Sequence, residues 1–172
     1  MTDSRHPVAV AAVDIAPRGT PSNYPEPFAS RYPGQPYLGE IAYTDKVVGR
    51  LTSWLRERGL MERTIVVLTA DHGESLGDHG ESTHAYFVYD ATTRVPLVIR
   101  APGSWPAGRR VAEPVSLADV FPTVLRLAGV AAPGTVDGAD LAPAVGGGSA
   151  PDREVYAESY LPLLQFRFSA LT

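Results

Sequence analysis

Cysteine is absent from the 172 residues, and lysine occurs once, at Lys46. The first absence excludes a disulfide scaffold, a thiolate metal site and a cysteine nucleophile within this chain. Fourteen arginines stand against that single lysine. With abundant Ala, Gly and Pro, this bias points to GC-rich coding DNA rather than to a function. An excess of positive charge is missing too. The formal net charge is -4, so no nucleic-acid partner is expected. No apolar run reaches the length that spans a bilayer, so no membrane segment is expected. Val8 to Val13 has the character of a weak export-signal core, but it is short and Asp14 closes it. It reads more readily as a buried strand. What is present is an apolar fraction of 44 % with 20 % charged residues. That is enough to bury a core, and global disorder is excluded.

Prolines at Pro17, Pro21, Pro25, Pro27, Pro33 and Pro36 lack backbone donors and fix φ, so residues 1–36 read as an irregular arm carrying at most one strand. From Leu38 to Arg58 the period is helical. Ile41, Val48 and Leu55 recur on one face, with Val47, Leu51 and Trp54 filling the stripe. Gly59 follows where a left-handed cap is wanted. Thr64 to Thr69 is apolar on both faces, as for an inner parallel strand covered by helices. A second strand is expected at Val95 to Arg100. Ser116 then reads as an N-cap with Asp119 as its capping-box partner, and Pro122 breaks or restarts that helix before Gly129 ends it. Residues 131–151 read as a mobile Gly/Ala/Pro-rich connection, and Glu154 to Tyr160 as one more short strand. The order of elements implies an α/β fold with a mostly parallel central sheet. Only about three strands are evident, against the roughly five or six of an average sheet. The chain therefore reads as part of a domain, with 37–160 as its body and 161–172 as a tail.

The chemistry concentrates just after the best strand. Asp71-His72-Gly73-Glu74 is repeated at Asp78-His79-Gly80-Glu81, and His84 follows. Carboxylate oxygen and imidazole nitrogen are ligands for divalent ions. In open α/β sheets, ligands bind beyond the carboxyl ends of strands. Asp71 and His72 are the favoured copy, because the strand end fixes them. The alternative is a polar loop whose acids and histidines are merely solvated.

The stretch from Gly59 through Thr69-Ala70-Asp71-His72-Gly73-Glu74 to Gly80 resembles the metal-binding stretch of the sulfatases, in the alkaline phosphatase superfamily. The likeness continues at Tyr89-Asp90, Arg94-Val95-Pro96-Leu97-Val98-Ile99 and Pro114 to Thr123, and upstream at Tyr43-Thr44-Asp45 with Gly49. It runs from about Pro25 to Glu158. The resemblance implies the C-terminal part of a sulfatase catalytic domain, an alkaline-phosphatase-like sandwich acting on sulfate esters. Asp71 and His72 would ligate a divalent cation, in this family calcium. His84 stands where sulfatases carry a sulfate-binding lysine or histidine. Glu74 would lie behind these residues, orienting His72, and His79 would be a supporting residue of the same kind.

The resemblance also marks departures. Sulfatases use a formylglycine made from Cys or Ser in a Cys/Ser-x-Pro-x-Arg motif. Cysteine is lacking, and neither Ser4-Arg5-His6-Pro7 nor Pro21-Ser22-Asn23 fits the serine version. The acidic pair that supplies the first metal ligands is not seen either, and residues before Pro25 depart from the pattern. The expectation is a hydrolase piece whose formylglycine lies elsewhere, inactive by itself. Two alternatives stay open at this point: a phosphodiesterase or phosphoglycerol/phosphoethanolamine transferase of the same superfamily, and a non-catalytic remnant that binds metal or a partner.

Overall fold

The computed structural model describes residues 27–84, 86–148 and 154–162. The expected strand at Val8 to Val13 lies outside them. The chain divides into two compact units, one through Thr64 and the other from Ile65.

In the first unit a short helix, α1 (Phe28–Arg31), precedes the long helix α2 (Pro36–Glu57). Helix therefore begins inside the stretch expected to be irregular. Pro36 sits at the first helical position, where its missing N–H costs nothing. Phe28 is buried and meets Tyr43 edge-on at 5.6 Å, and the Lys46 ammonium lies 5.3 Å from the same ring. Gly59 ends α2 with φ 65°. Its N–H donates to the Arg56 carbonyl and that of Leu60 donates to Leu55, the paired bonds of a Schellman cap. The apolar stripe is narrower than its period implies. Leu55 is buried, but Ile41 and Trp54 are exposed. Among the described residues of this unit, α1 and the 3-10 turn Met61–Arg63 pack on α2, and they leave part of the stripe uncovered. Trp54 instead carries the Arg58 guanidinium 4.3 Å above its ring.

In the second unit β1 (Val66–Thr69) pairs with β2 (Leu97–Arg100), both within the segments expected to be strands. The pairing is antiparallel, with Val67 opposite Ile99 and Leu68 opposite Val98. This differs from the mostly parallel sheet expected from the element order. A parallel return needs a crossover, usually a helix long enough to pack on the sheet. The only α-helix described between these strands is α3 (Asp90–Thr93), a single turn. Side chains alternate across the ribbon. Val67 and Ile99 face a core of Ile65, Ala101 and Leu127, closed by Trp105 and Ala128. On the opposite face Leu68 and Val98 are exposed, so β1 is not the strand buried on both sides that its composition suggests.

Leu127 belongs to α4 (Val120–Leu127), which continues from the 3-10 turn Leu117–Asp119. The predicted capping box is present. Ala118 N–H donates to Ser116 Oγ, and Ser116 N–H donates to Asp119 Oδ2 at 2.8 Å. Pro122 falls in the first turn of α4, where no N–H is needed, so the helix restarts rather than breaks. Gly129, φ 70°, closes α4 with a second Schellman pair, from Gly129 to Arg126 and from Val130 to Leu125.

Two expectations meet a different picture downstream. Within the connection expected over 131–151, residues 139–141 are held by hydrogen bonds and an ion pair, and 149–151 lie outside the described residues. Ala139 N–H donates to the fully buried Asp119 at 2.7 Å, Leu141 N–H donates to Thr123 Oγ1 at 3.0 Å, and Arg126 pairs with Asp140 at 2.7 Å. A short helix, α5 (Ala142–Val145), follows. Glu154 to Tyr160 forms no strand. Its alternate residues meet one another instead: the hydroxyls of Tyr156 and Tyr160 both donate to Glu158 Oε2.

Candidate functional site

The site grows from the end of β1. Backbone bonds lock the residues after Thr69 before any side chain acts. Gly73 N–H donates to the Thr92 carbonyl at 2.8 Å, and Ser75 N–H donates to Thr83 at 2.9 Å. Only glycine fits at position 73. A Cβ there would run into the Ala91 carbonyl oxygen, with Thr92 Cα at 3.3 Å. Beyond Ser75 the chain folds back, with Gly77 N–H donating to the Glu81 carbonyl.

Within this frame the two histidines favoured by sequence come together. The His72 and His84 rings stack at 4.0 Å and 28°. Each is anchored through Nδ1. His72 Nδ1 lies 2.8 Å from the Gly73 carbonyl. A carbonyl can only accept, so Nδ1 carries a proton, and in the neutral ring Nε2 keeps its lone pair. That nitrogen is 3.7 Å from Asp71 Oδ2, while Asp71 Oδ1 accepts the His72 N–H at 3.0 Å. His84 Nδ1 donates to Glu74 Oε2 at 3.0 Å, with the Thr83 hydroxyl at 3.3 Å.

The expected pairing of Glu74 with His72 is therefore corrected. A neighbouring carbonyl already satisfies His72, and the carboxylate reaches across the loop to His84. The Asp71 side chain is 83 % exposed and Glu74 only 23 %. Glu74 Oε1 is buried with no hydrogen-bond partner among the described residues.

His79 stands apart from this pair. It occupies the 3-10 turn Asp78–Gly80 with φ 53°, a left-handed value that costs a non-glycine residue about 1–2 kcal/mol. Its ring stacks on Tyr89 at 3.8 Å and lies 3.1 Å from Asp78. The second tetrad thus folds differently from the first. Its acid, Glu81, is buried and turned inward, accepting Tyr86 N–H at 2.8 Å and the Ser75 hydroxyl at 3.4 Å. Sequence reasoning passed over Glu81 as a structural hub. The repeat was the available signal, but it does not encode the different partners of its two glutamates.

Asp71 and His72 suit a divalent cation in donor chemistry. Two donors on one ion at ordinary bond lengths lie about 3–4 Å apart, and a histidine ligand commonly donates its other ring N–H to a backbone carbonyl. The pair has both properties. Among the described residues no group of three His, Cys, Asp or Glu side chains is gathered for a metal.

The family pattern described as Sulfatase matches residues 6–130. The chain belongs to the sulfatase family. The match reaches back to His6, well before the resemblance visible from Pro25. Arylsulfatase K of Bos taurus is 38 % identical over 62 % of this chain and 19 % of its own length. Steryl-sulfatase of Mus musculus is 41 % identical over 70 % of this chain and 22 % of its own. Among solved structures, the phosphonate monoester hydrolase from Silicibacter pomeroyi has a TM-score of 0.64 at 33 % identity, over 87 % of this chain and 33 % of that one. Another, in complex with its substrate D-glucosamine-2-N,6-O-disulfate, has a TM-score of 0.56 at 35 % identity, over 71 % and 25 %. The chain thus spans about a fifth of the length of the curated relatives it matches. The α/β character of this sulfatase-family chain agrees with its structural neighbours. Among the described residues, no helix is long and apolar enough to cross a membrane.

Proposed function

We propose that this chain supplies the metal-binding and sulfate-contacting side of an active site that hydrolyses sulfate esters. The observation that carries the reading is the anchored His72–His84 stack beside Asp71, at the end of a strand in a sulfatase-family chain. Asp71 and His72 would hold a divalent cation, calcium by family resemblance. Such an ion supplies Lewis-acid polarisation of an ester oxygen. The roles of the chain's own residues follow from their anchors. His72 offers Nε2 as a ligand because Gly73 holds its other nitrogen. His84, fixed at Nδ1, would meet the sulfate group through its other ring nitrogen and stabilise charge on the ester oxygens. His79 would support the loop through Tyr89. The nucleophile, a formylglycine in this family, is proposed to lie in sequence beyond these residues. So are the further ligands of the ion and the strands that would complete a mostly parallel sheet around β1.

The test uses residues 1 to 172 with calcium present. Sodium sulfate is titrated while the imidazole signals are followed by NMR, and hydrolysis of a chromogenic aryl sulfate is assayed beside an aryl phosphate. Sulfate-dependent shifts at His84 and no turnover of either ester are expected. Unmoved His84 signals at high sulfate overturn the sulfate-contacting role. Turnover of the aryl sulfate that disappears in His72→Ala overturns the external nucleophile.

A further inference from the structure

Glu74 combines three features that a merely solvated acid would lack. Its side chain is mostly buried, one carboxylate oxygen bonds His84 Nδ1 at 3.0 Å, and the other is buried without a partner among the described residues. The backbone on both sides of it is fixed, by Gly73 N–H on Thr92 and by Ser75 N–H on Thr83. A carboxylate aimed from so rigid a base sets the position of whatever it binds.

We infer that Glu74 is the positioning residue of His84: its carboxylate selects the Nδ1–H form of the ring, holds that ring flat on His72, and leaves Nε2 as the atom offered to a ligand. The hydrogen bonds described for His84 all fall on Nδ1. Without Glu74 the ring keeps only the weaker Thr83 contact at Nδ1 and its stack on His72, and it turns about its Cβ–Cγ bond and exchanges tautomers more readily. The role at an ester site rests on the reading of His84 as the sulfate-contacting group. The orienting role does not.

The experiment separates the two. The full chain is labelled with 15N-histidine and long-range 1H–15N spectra are recorded at about pH 8.5, above the ordinary imidazole range. The wild-type chain should show His84 protonated at Nδ1. Glu74→Gln, whose amide oxygen can still accept, should keep that signature. Glu74→Ala should lose it and give the averaged tautomers of a free side chain. Glu74→Asp, too short to reach, takes the place of the alanine variant if that variant does not fold. In a parallel sodium sulfate titration, apparent affinity should fall about tenfold in Glu74→Ala, as for loss of one charge-assisted hydrogen bond, and less than about threefold in Glu74→Gln. An unchanged His84 tautomer in both Glu74→Ala and Glu74→Asp overturns the inference. A tautomer that changes in Glu74→Ala or Glu74→Asp, in a chain whose His84 ignores sulfate, supports Glu74 as the orienting group and removes the sulfate role from His84.

Discussion

His72 and His84 stack ring on ring at 4.0 Å, yet no hydrogen bond joins them; each is held by its own acceptor, the Gly73 carbonyl and the Glu74 carboxylate. Both acceptors belong to consecutive residues at the start of the same loop. The geometry of the pair is therefore set by the backbone between Asp71 and Ser75, and a small displacement there moves both rings.

Gly73→Ala tests that dependence. The new methyl group would meet the Ala91 carbonyl, which is backbone and cannot swing aside. Overpacking of this kind costs about 1–3 kcal/mol. The expected result in urea denaturation is a lower midpoint at unchanged slope, together with displaced ring signals for both His72 and His84. A variant as stable as the parent, with unmoved rings, would show that the loop absorbs the methyl group elsewhere.

The contrast between this loop and the helices shows what local sequence can specify. The capping box at Ser116 and Asp119 and the glycine stops at Gly59 and Gly129 were legible, because each depends on residues within a turn of one another. So was the strand end that carries Asp71 and His72. Three other features depend on contacts distant in sequence, which periodicity does not encode. The antiparallel return of β2 follows from what fills the connection. The partner of Glu74 follows from how the loop closes. The exposure of Ile41 and Trp54 follows from tertiary packing on α2, not from its helical period.

Asp119 illustrates the same limit from the stable side. As a helix cap it was expected; as the tie that holds Ala139 it was not. Replacing it by alanine leaves the N–H groups of Ser116 and Ala139 without their acceptor, and the first belongs to the helix cap. The expected loss is about 2–4 kcal/mol. Hydrogen exchange should locate it: amides of residues 139–145 lose protection along with the start of α4. If only the α4 amides respond, the tie to Ala139 contributes nothing.

Acid and base should act on the Tyr156–Glu158–Tyr160 cluster in opposite ways. Hydrogen bonds from Tyr156 and then Tyr160 hold the Glu158 carboxyl below its ordinary value. The same bond, and then the charge of Glu158, push the Tyr156 phenol above 10.0. A depressed carboxyl stabilises this arrangement above the ordinary glutamate range, and the effect is lost as pH falls through the lowered value. A raised phenol stabilises it below the ordinary tyrosine value, and the effect is lost as pH rises through the raised one. The Tyr156 ring signals should thus stay constant from about pH 6 to about pH 9 and move at both extremes. Glu158→Gln should abolish the acid-side change. Persistence of that change in the variant would assign it to another carboxylate.

Metal preference offers the sharpest check on Asp71 and His72. Calcium takes about six to eight oxygen ligands, and even complete extracellular calcium modules bind at about 0.1–1 mM. One carboxylate and one imidazole fall far short, so calcium should bind this chain more weakly than about 1 mM. Zinc accepts nitrogen and oxygen at a coordination number of about four, and mixed sites follow an order in which manganese binds more weakly than zinc. The chain alone should therefore prefer zinc over manganese, and manganese over calcium, whatever ion the complete site uses. The Nδ1–H form of His72 predicts the mode: zinc should shift Nε2 strongly while the Nδ1 proton stays in place. Calorimetry on the wild type and on Asp71→Ala, with NMR of the histidine rings, measures both. Zinc affinity should drop about tenfold or more in Asp71→Ala, a loss of at least about 1.4 kcal/mol. Sub-micromolar calcium binding that vanishes in Asp71→Ala would instead mean that the chain gathers a nearly complete oxygen shell, with ligands beyond Asp71 and His72.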